Sequence, residues 1–293
     1  MDVLLAILSQ FGLYGLLTVG IATVFAALRV VNLAHCDFAM IGAYAAATLI
    51  GFPFGWRAAL VLGATIPLLV LIERVLLRHS LADGLGSMLV TWGVGMALRQ
   101  LAEVSFGATP RSVTAPVDGS VTVFGASGPA YRLICSLVAV AVIGLVLLAA
   151  HRTRWGLTLR AVADNPSMAG LLGTDPNRLR TTAFVAGGLL AVLAGALYSP
   201  TLAVSPTMGF SLLVPVFFAL LFSRPGSLAT AALAALGVSA LAVLLRTWLS
   251  DVVADALFYV VVFVIAAARS RPSIRRFLSW SRRFVVRSAR SPR

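Results

Sequence analysis

Three polar side chains stand together between two apolar runs: Asn32, His35 and Asp37, in the stretch NLAHCD that separates Phe11–Val31 from Phe38–Ile50. An amide, an imidazole and a carboxylate at this spacing could line a polar path or act as a gate. A charge at the centre of a spanning helix costs about 2.5–3.5 kcal/mol on insertion scales, so one kept there has a use. A second reading stands equally open: Asn32 to Asp37 is a cap and turn at the inner membrane surface, where polar groups cost little. Thr91 and Gln100 lie on the apolar run Leu85–Leu101, where they could face a path or hydrogen-bond between helices. Ser205 and Pro206 open a second break, SPTMG, ahead of Phe210–Phe222. The residues expected on a path are therefore Asn32, His35, Asp37, Thr91, Ser205 and Pro206. These groups could hold and pass a solute. For bond-making chemistry the sequence offers no Walker A segment, no HExxH, no G-x-S-x-G and no Cys/His cluster. Neither an enzyme site, a cofactor nor a metal is expected. Cys36 and Cys135 read as small buried hydrophobes.

A different kind of polar segment, ADNPSMAGLLGTDP (Ala163–Pro176), interrupts the chain between Leu133–Ala150 and Thr182–Val204. Asp164 or Asn165 can cap a helix, and Pro166 suits its first position, where a missing N–H costs nothing. Met168, Leu171 and Leu172 fall at i, i+3 and i+4, making one small apolar face beside Ala169. Gly173 follows as a left-handed C-cap, and Thr174 or Asp175 with Pro176 starts the next helix. A helix of about two turns is unstable alone in water, so it must lean on something. Either the membrane ends of the protein itself or a separate cytoplasmic subunit could receive that face.

The elements around these residues follow from composition. The chain has 293 residues, 60% hydrophobic and 11% charged, with mean hydropathy +0.98. Soluble domains run near 25% charged, so a polytopic membrane protein is expected, all-α in class. Candidate spans are Phe11–Val31, Phe38–Ile50, Trp56–Leu77, Leu85–Leu101, Leu133–Ala150, Thr182–Val204, Phe210–Phe222, Leu228–Trp248 and Val252–Ala268, which gives a helical bundle of eight or nine spans. The N-terminal stretch lacks a basic region and a small-residue cleavage pattern and reads as a retained first span.

A net charge of +13 would suggest nucleic acid in a soluble chain, but the arginines sit at membrane edges. Nine lie between Arg269 and Arg293, and Arg152, Arg154, Arg160, Arg178 and Arg180 surround the capped segment. This positive-inside pattern places the loop 151–181 and the basic tail 269–293 in the cytoplasm and the polar loop 102–132 outside, the spanning region being 1–268. The tail reads as an interfacial helix or an unstructured basic segment. Glu73 with Arg74 or Arg78 is expected to be a surface charge cluster of little energetic weight. The two short spans each follow a long span and a polar break, and in this topology the two long spans run in opposite directions. That is the pattern of an inverted repeat with interrupted helices.

The segment VVNLAHCDFAMIGAYAA (Val30–Ala46) resembles the NLAHGEF…GAY segment of branched-chain amino acid ABC transporter permeases. RAVADNPSMAGLLGTDPNRLR (Arg160–Arg180) is similar to their cytoplasmic coupling loop, and GGLLAVLAGALYSPTLAVSPTMGF (Gly187–Phe210) continues the likeness. The resemblance implies a permease subunit of an importer in a bacterial inner membrane. A second permease, cytoplasmic ATPase subunits and an extracytoplasmic binding protein would be its partners, with membrane lipid and no nucleic acid. It also implies that the segment from Asp164, Asn165 and Pro166 through Met168, Ala169, Leu171 and Leu172 to Gly173 docks on an ATPase subunit. The sequence departs from the family at Cys36 and Asp37, where Gly and Glu are usual, and at FSRPGS (Phe222–Ser227), where a glycine-rich stretch is usual. These departures bear on specificity: relatives handle amino acids, and some urea or short amides. A stand-alone secondary transporter or channel is the alternative, and it would need acidic residues within its spans.

Overall fold

The computed structural model describes residues 2–268 apart from 50, 81–83, 118, 124 and 125; the basic tail 269–293 lies outside the described residues. The architecture is a helical bundle with one small hairpin. Its helices are α1 (Asp2–Leu28), α2 (His35–Thr48), α3 (Phe54–Leu71), α4 (Gly84–Phe106), α5 (Ala130–Arg152), α6 (Arg154–Asp164), α7 (Pro166–Leu171), α8 (Pro176–Tyr198), α9 (Met208–Phe222) and α10 (Leu228–Trp248), followed by α11 (Asp251–Ala268). Strands β1 (Ser120–Val123) and β2 (Ala126–Pro129) pair antiparallel within the loop ahead of α5. Among the described residues, six helical stretches are long and apolar enough to cross a bilayer: Val3–Leu28, Gly55–Leu77, Ala130–Arg152, Pro176–Tyr198, Leu228–Trp248 and Asp251–Ala268. The protein is an all-α polytopic membrane bundle.

Local signals set the helix ends. Asp175 caps α8, its Oδ1 accepting from the amides of Asn177 at 2.9 Å and Arg178 at 3.3 Å, with Pro176 in the first position. The span therefore begins six residues before the apolar run expected at Thr182, and it stops at Tyr198. α1 starts earlier than expected, at Asp2, and ends at Leu28 because Arg29 turns left-handed at φ 58°. α4 outlasts its apolar core and carries Arg99, Gln100 and Glu103 in its last two turns. α3 continues through a π-helical turn at Ile72–Leu77. That turn overturns one expectation: Glu73 is not a surface charge. It is 1% exposed and accepts a 2.7 Å hydrogen bond from the Thr181 hydroxyl of α8, because the widened turn swings it toward α8.

The chain divides into two compact units, Met1–Val243 and the part from Leu244 onward. In the second, Arg246 and Asp255 form an exposed pair at 2.8 Å. The core of the first is α8, which packs most extensively against α1 and α2. A Cβ on Gly187 would lie 2.5 Å from the Gly20 carbonyl oxygen, and one on Gly20 would lie 2.8 Å from that of Gly187. At the second crossing a Cβ on Gly195 would lie 1.8 Å from the Ala39 oxygen, and one on Gly42 2.1 Å from that of Val192. Small residues let membrane helices approach backbone to backbone, where van der Waals contact replaces the absent hydrophobic drive.

Contacts order the two ends of this unit. Arg29, just past α1, donates through its guanidinium to the carbonyl of Ala163 beside the capped segment. At the other end, Arg132 donates to Ser9 at 3.0 Å, and Arg111 pairs with Val204 through mutual backbone bonds of 2.9 and 3.0 Å. The first end carries the loop 151–181 and the second carries the hairpin. Both short helices begin inside the bundle and run to opposite ends. α2 starts beside Leu17, deep in α1, and reaches Phe106 at the hairpin end, where Tyr44 stacks on it at 4.6 Å. α9 starts against Cys36 and Asp37 and ends near Ala22 and Phe25 at the loop end.

Adding a methyl at the second glycine crossing is expected to force α2 from α8. Overpacking a tight interior costs about 1–3 kcal/mol or more. Gly195→Ala should lower the thermal midpoint of the detergent-purified protein by several degrees, measured by intrinsic fluorescence. Gly63→Ala, with nothing within 4 Å of the new methyl, should leave it unchanged.

Candidate functional site

The two breaks meet. Asn32 opens the first by accepting through Oδ1 from the amide of Ala34 at 3.0 Å, and Thr91 on α4 accepts from the amide of Leu33 at 3.2 Å. These bonds satisfy backbone groups that would otherwise stand unpaired in an apolar interior. His35 is fully buried; its Nε2 donates to the Leu17 carbonyl at 3.1 Å. His35 Nδ1 and Asn32 Nδ2 are buried with no hydrogen-bond partner among the described residues. The segment Asn32–Asp37 returns from the end of α1 into the bundle, and all of its residues but Leu33 are buried.

Asp37, in the first turn of α2, sits in the middle of this junction. Its carboxylate is clamped between two glycines: a Cβ on Gly95 of α4 would lie 2.4 Å from Oδ2, and one on Gly209 of α9 would lie 2.5 Å from Oδ1. Arg99 on α4 pairs with it, Nε to Oδ1 at 3.3 Å, with side-chain exposures of 20% for Arg99 and 3% for Asp37. The guanidinium carbon of Arg99 lies 5.3 Å from the centre of the Trp92 ring and 5.5 Å from that of Phe210. Two aromatic faces thus hold the cation by their quadrupoles independently of the carboxylate. Trp92, Gly95 and Arg99 recur at i, i+3 and i+7, one stripe along α4. Removing one partner of such a pair strands a charge and costs far more than the pair contributes.

Among the other residues expected on a path, Pro206 is buried and Ser205 half-buried in the break before α9, where the Ser205 carbonyl accepts from the amide of Met208 at 3.2 Å. The structure thus brings Asn32, Asp37 and Thr91 around one junction with the start of α9. Gln100, the other polar candidate on α4, is exposed. Sequence reasoning missed Arg99, although an arginine inside the apolar run Leu85–Leu101 was itself the signal.

The capped segment forms as its residues dictate. Asn165, not Asp164, is the cap: its Oδ1 accepts from the amide of Met168 at 3.1 Å and from the hydroxyl of Ser167 at 2.9 Å. Asp164 ends α6. Gly173 turns left-handed at φ 86°, and the amides of Gly173 and Thr174 return to the carbonyls of Gly170 and Ala169 at 3.1 and 3.2 Å. Ala169 is buried, whereas Met168, Leu171 and Leu172 are 54, 84 and 80% exposed. Behind α7, α6 is tied to the bundle through Arg29 to Ala163, Arg160 to the Ala150 carbonyl and Trp155 Nε1 to Thr182 at 3.3 Å. The departing segment FSRPGS also comes here: Arg224 is exposed, and Gly226, at φ 81°, lies against Ala163.

Residues 3–267 match the family described as branched-chain amino acid transport system / permease component. The high-affinity branched-chain amino acid transport system permease protein LivH of Salmonella typhimurium is 27% identical over 287 residues, covering 90% of this chain and 93% of the relative. A probable branched-chain amino acid transport permease protein LivH of Methanocaldococcus jannaschii is 28% identical over 218 residues, covering 70% and 68%. Among solved structures, PsaBC from Streptococcus pneumoniae in complex with Fab gives a TM-score of 0.49 at 16% identity, covering 91% of both chains. A profile match along nearly the whole length, over a membrane bundle with the junction and capped loop just described, places the chain in the permease-component family of branched-chain amino acid transport systems.

Proposed function

We propose that this protein is the membrane-spanning permease subunit of an ABC importer in a bacterial inner membrane, and that it passes amino acids driven by ATP hydrolysis on partner subunits. The observation that carries the reading is α7: a helix capped at both ends that turns Met168, Leu171 and Leu172 away from its own chain. Three large apolar side chains on a helix too short to persist alone suit a groove on another protein. Family membership supports an ATPase subunit as that protein. A second permease would complete the path, and an extracytoplasmic binding protein would deliver substrate.

In this reading the loop 151–181 and the C-terminus are cytoplasmic and the hairpin end is external. The chain crosses nine times if α2 and α9, each begun inside the bundle, complete the crossings opened by their breaks. The pairs α1–α2 and α8–α9 then form the two interrupted helices of an inverted repeat, with Asn32, His35, Asp37, Thr91, Ser205 and Pro206 around the path. Closure of the ATPases would push on α7, and the ties of α6 to α1, α5 and α8 would pass that push to the spans. The push biases an equilibrium between outward-open and inward-open arrangements.

Charged residues on the docking face test the reading. Met168→Asp with Leu172→Asp should abolish co-purification of the ATPase subunits and uptake together, while membrane insertion is unchanged. Retention of both at the wild-type level would sink it. Asn165→Ala should remove about 1 kcal/mol from the capped turn and lower transport-coupled ATP hydrolysis severalfold, assayed in proteoliposomes. For orientation, a cysteine placed at Ser167 should react with a membrane-impermeant maleimide only in inside-out vesicles. One at Thr114 should react only in intact cells or right-side-out vesicles.

A further inference from the structure

α2 and α4 enclose a groove of about 290 Å³, lined by Met40, Tyr44 and Thr48 of α2 and by Leu98, Leu101 and Ser105 of α4. These residues recur at i, i+4, i+8 and at i, i+3, i+7, so the groove follows both helix axes for about 12 Å at 1.5 Å per residue. Thr48, Leu101 and Ser105 are exposed, and the groove opens on the surface of the bundle. Its polarity is graded: Met40 and Leu98 lie at the deep end, and the two hydroxyls, Thr48 and Ser105, stand at the hairpin end.

A cation closes that polar end. Phe106, the last residue of α4, also lines the groove and stacks on Tyr44 with ring centres 4.6 Å apart. Arg111 lies over the Phe106 ring, its guanidinium carbon 5.4 Å from the centre, and donates through Nη2 to the Phe106 carbonyl at 2.7 Å. Its backbone is pinned to Val204 through both amide and carbonyl. The exposed guanidinium keeps Nε and Nη1 without a hydrogen bond or ion pair among the described residues. Tyr44 is 3% exposed, and its hydroxyl has no hydrogen-bond partner among the described residues. A buried hydroxyl left unpaired is costly, so an acceptor at this end would be favoured.

We propose that the α2–α4 groove binds one phospholipid, with an acyl chain along the helices and the phosphate on the free nitrogens of Arg111. An ester oxygen of the lipid accepts from the Tyr44 hydroxyl. The site requires only the membrane bundle and not the importer reading above. A lipid answers the three features together: the length of the groove parallel to the helices, its gradient from apolar to polar, and the cation at its polar end. A free phosphate would meet the arginine alone and leave the apolar wall bare. Side chains of a second copy would fill the apolar wall but leave the free guanidinium nitrogens unanswered. Aromatic rings and a basic side chain at the end of an apolar stretch are the usual anchors at a membrane–water interface, where basic side chains hold lipid head groups.

The test titrates the full chain, purified in mild detergent, with phosphatidylglycerol and reads bound lipid by native mass spectrometry. Wild type should show one saturable binding step per chain, ahead of weaker additions that do not saturate. Arg111→Gln removes the charge, and Ser105→Trp fills the groove; both positions are exposed, so the fold is expected to hold. Each should weaken the first step about fivefold or more with the thermal midpoint unchanged. Arg111→Lys, which keeps the charge, should lose less than Arg111→Gln. Arg132→Gln, at the same end but outside the groove, should bind as wild type does. Wild-type affinity in either Arg111→Gln or Ser105→Trp, or no saturable step in wild type, would mean an adventitious surface lipid only and overturn the proposal. Displacement of the lipid by an equal concentration of glycerol 3-phosphate would reveal an anion site without a chain and overturn it too. Disulfide cross-linking of Leu101→Cys between two copies in native membranes would make the groove a subunit interface, with the same consequence.

Discussion

Unpaired backbone N–H and C=O groups cannot face hydrocarbon, and this permease nevertheless breaks two helices inside its bundle. The breaks are permissible because α8 lies against α1 and α2 at backbone distance, through Gly187 on Gly20 and Gly195 on Ala39. That closeness packs the interior tightly, and the freed polar groups find partners within the protein. Asn32 turns back on Ala34, Thr91 reaches Leu33, and His35 reaches the Leu17 carbonyl. Without the glycine crossings α8 would stand a side chain farther from α1 and α2.

From that packing follows the electrostatics. Two helix N-termini, those of α2 and α9, meet at one point, and the partial positive charge of each favours an anion there. Asp37 supplies one and Arg99 balances it, so a costly pair of charges is held by two dipoles, two glycines and two aromatic faces. The arrangement is stable as long as both partners are present and unforgiving when one is removed.

The loop end follows a different logic, that of local grammar. Asn165, Pro166, Gly173, Asp175 and Pro176 each act within a few residues of themselves, so the capped helix was legible from the chain. Even the apolar stripe Met168, Leu171, Leu172 came out on the exposed side. The one ambiguity, Asp164 or Asn165 as cap, was settled by Asp164 finishing α6. Glu73 was misread because a π-helical turn leaves no mark in composition, and an acid flanked by arginines looks solvated until its helix is seen to roll inward. Arg99 was passed over for a similar reason. In a run otherwise apolar its charge could belong to a helix end, and only the distance to Asp37 shows otherwise.

By itself the sequence determined the membrane class, the helical class, the two breaks and the capped loop helix. All of these depend on hydropathy over about twenty residues or on hydrogen bonds over about four. Only the tertiary structure decided that the breaks meet, that Asp37 finds Arg99 across 62 residues of chain, and that Glu73 is buried against Thr181. Those are contacts between segments far apart in sequence, and they are set by how closely glycine lets one helix approach another. Hydropathy reports that a residue prefers lipid or protein to water; it carries no information about which neighbour it will meet there.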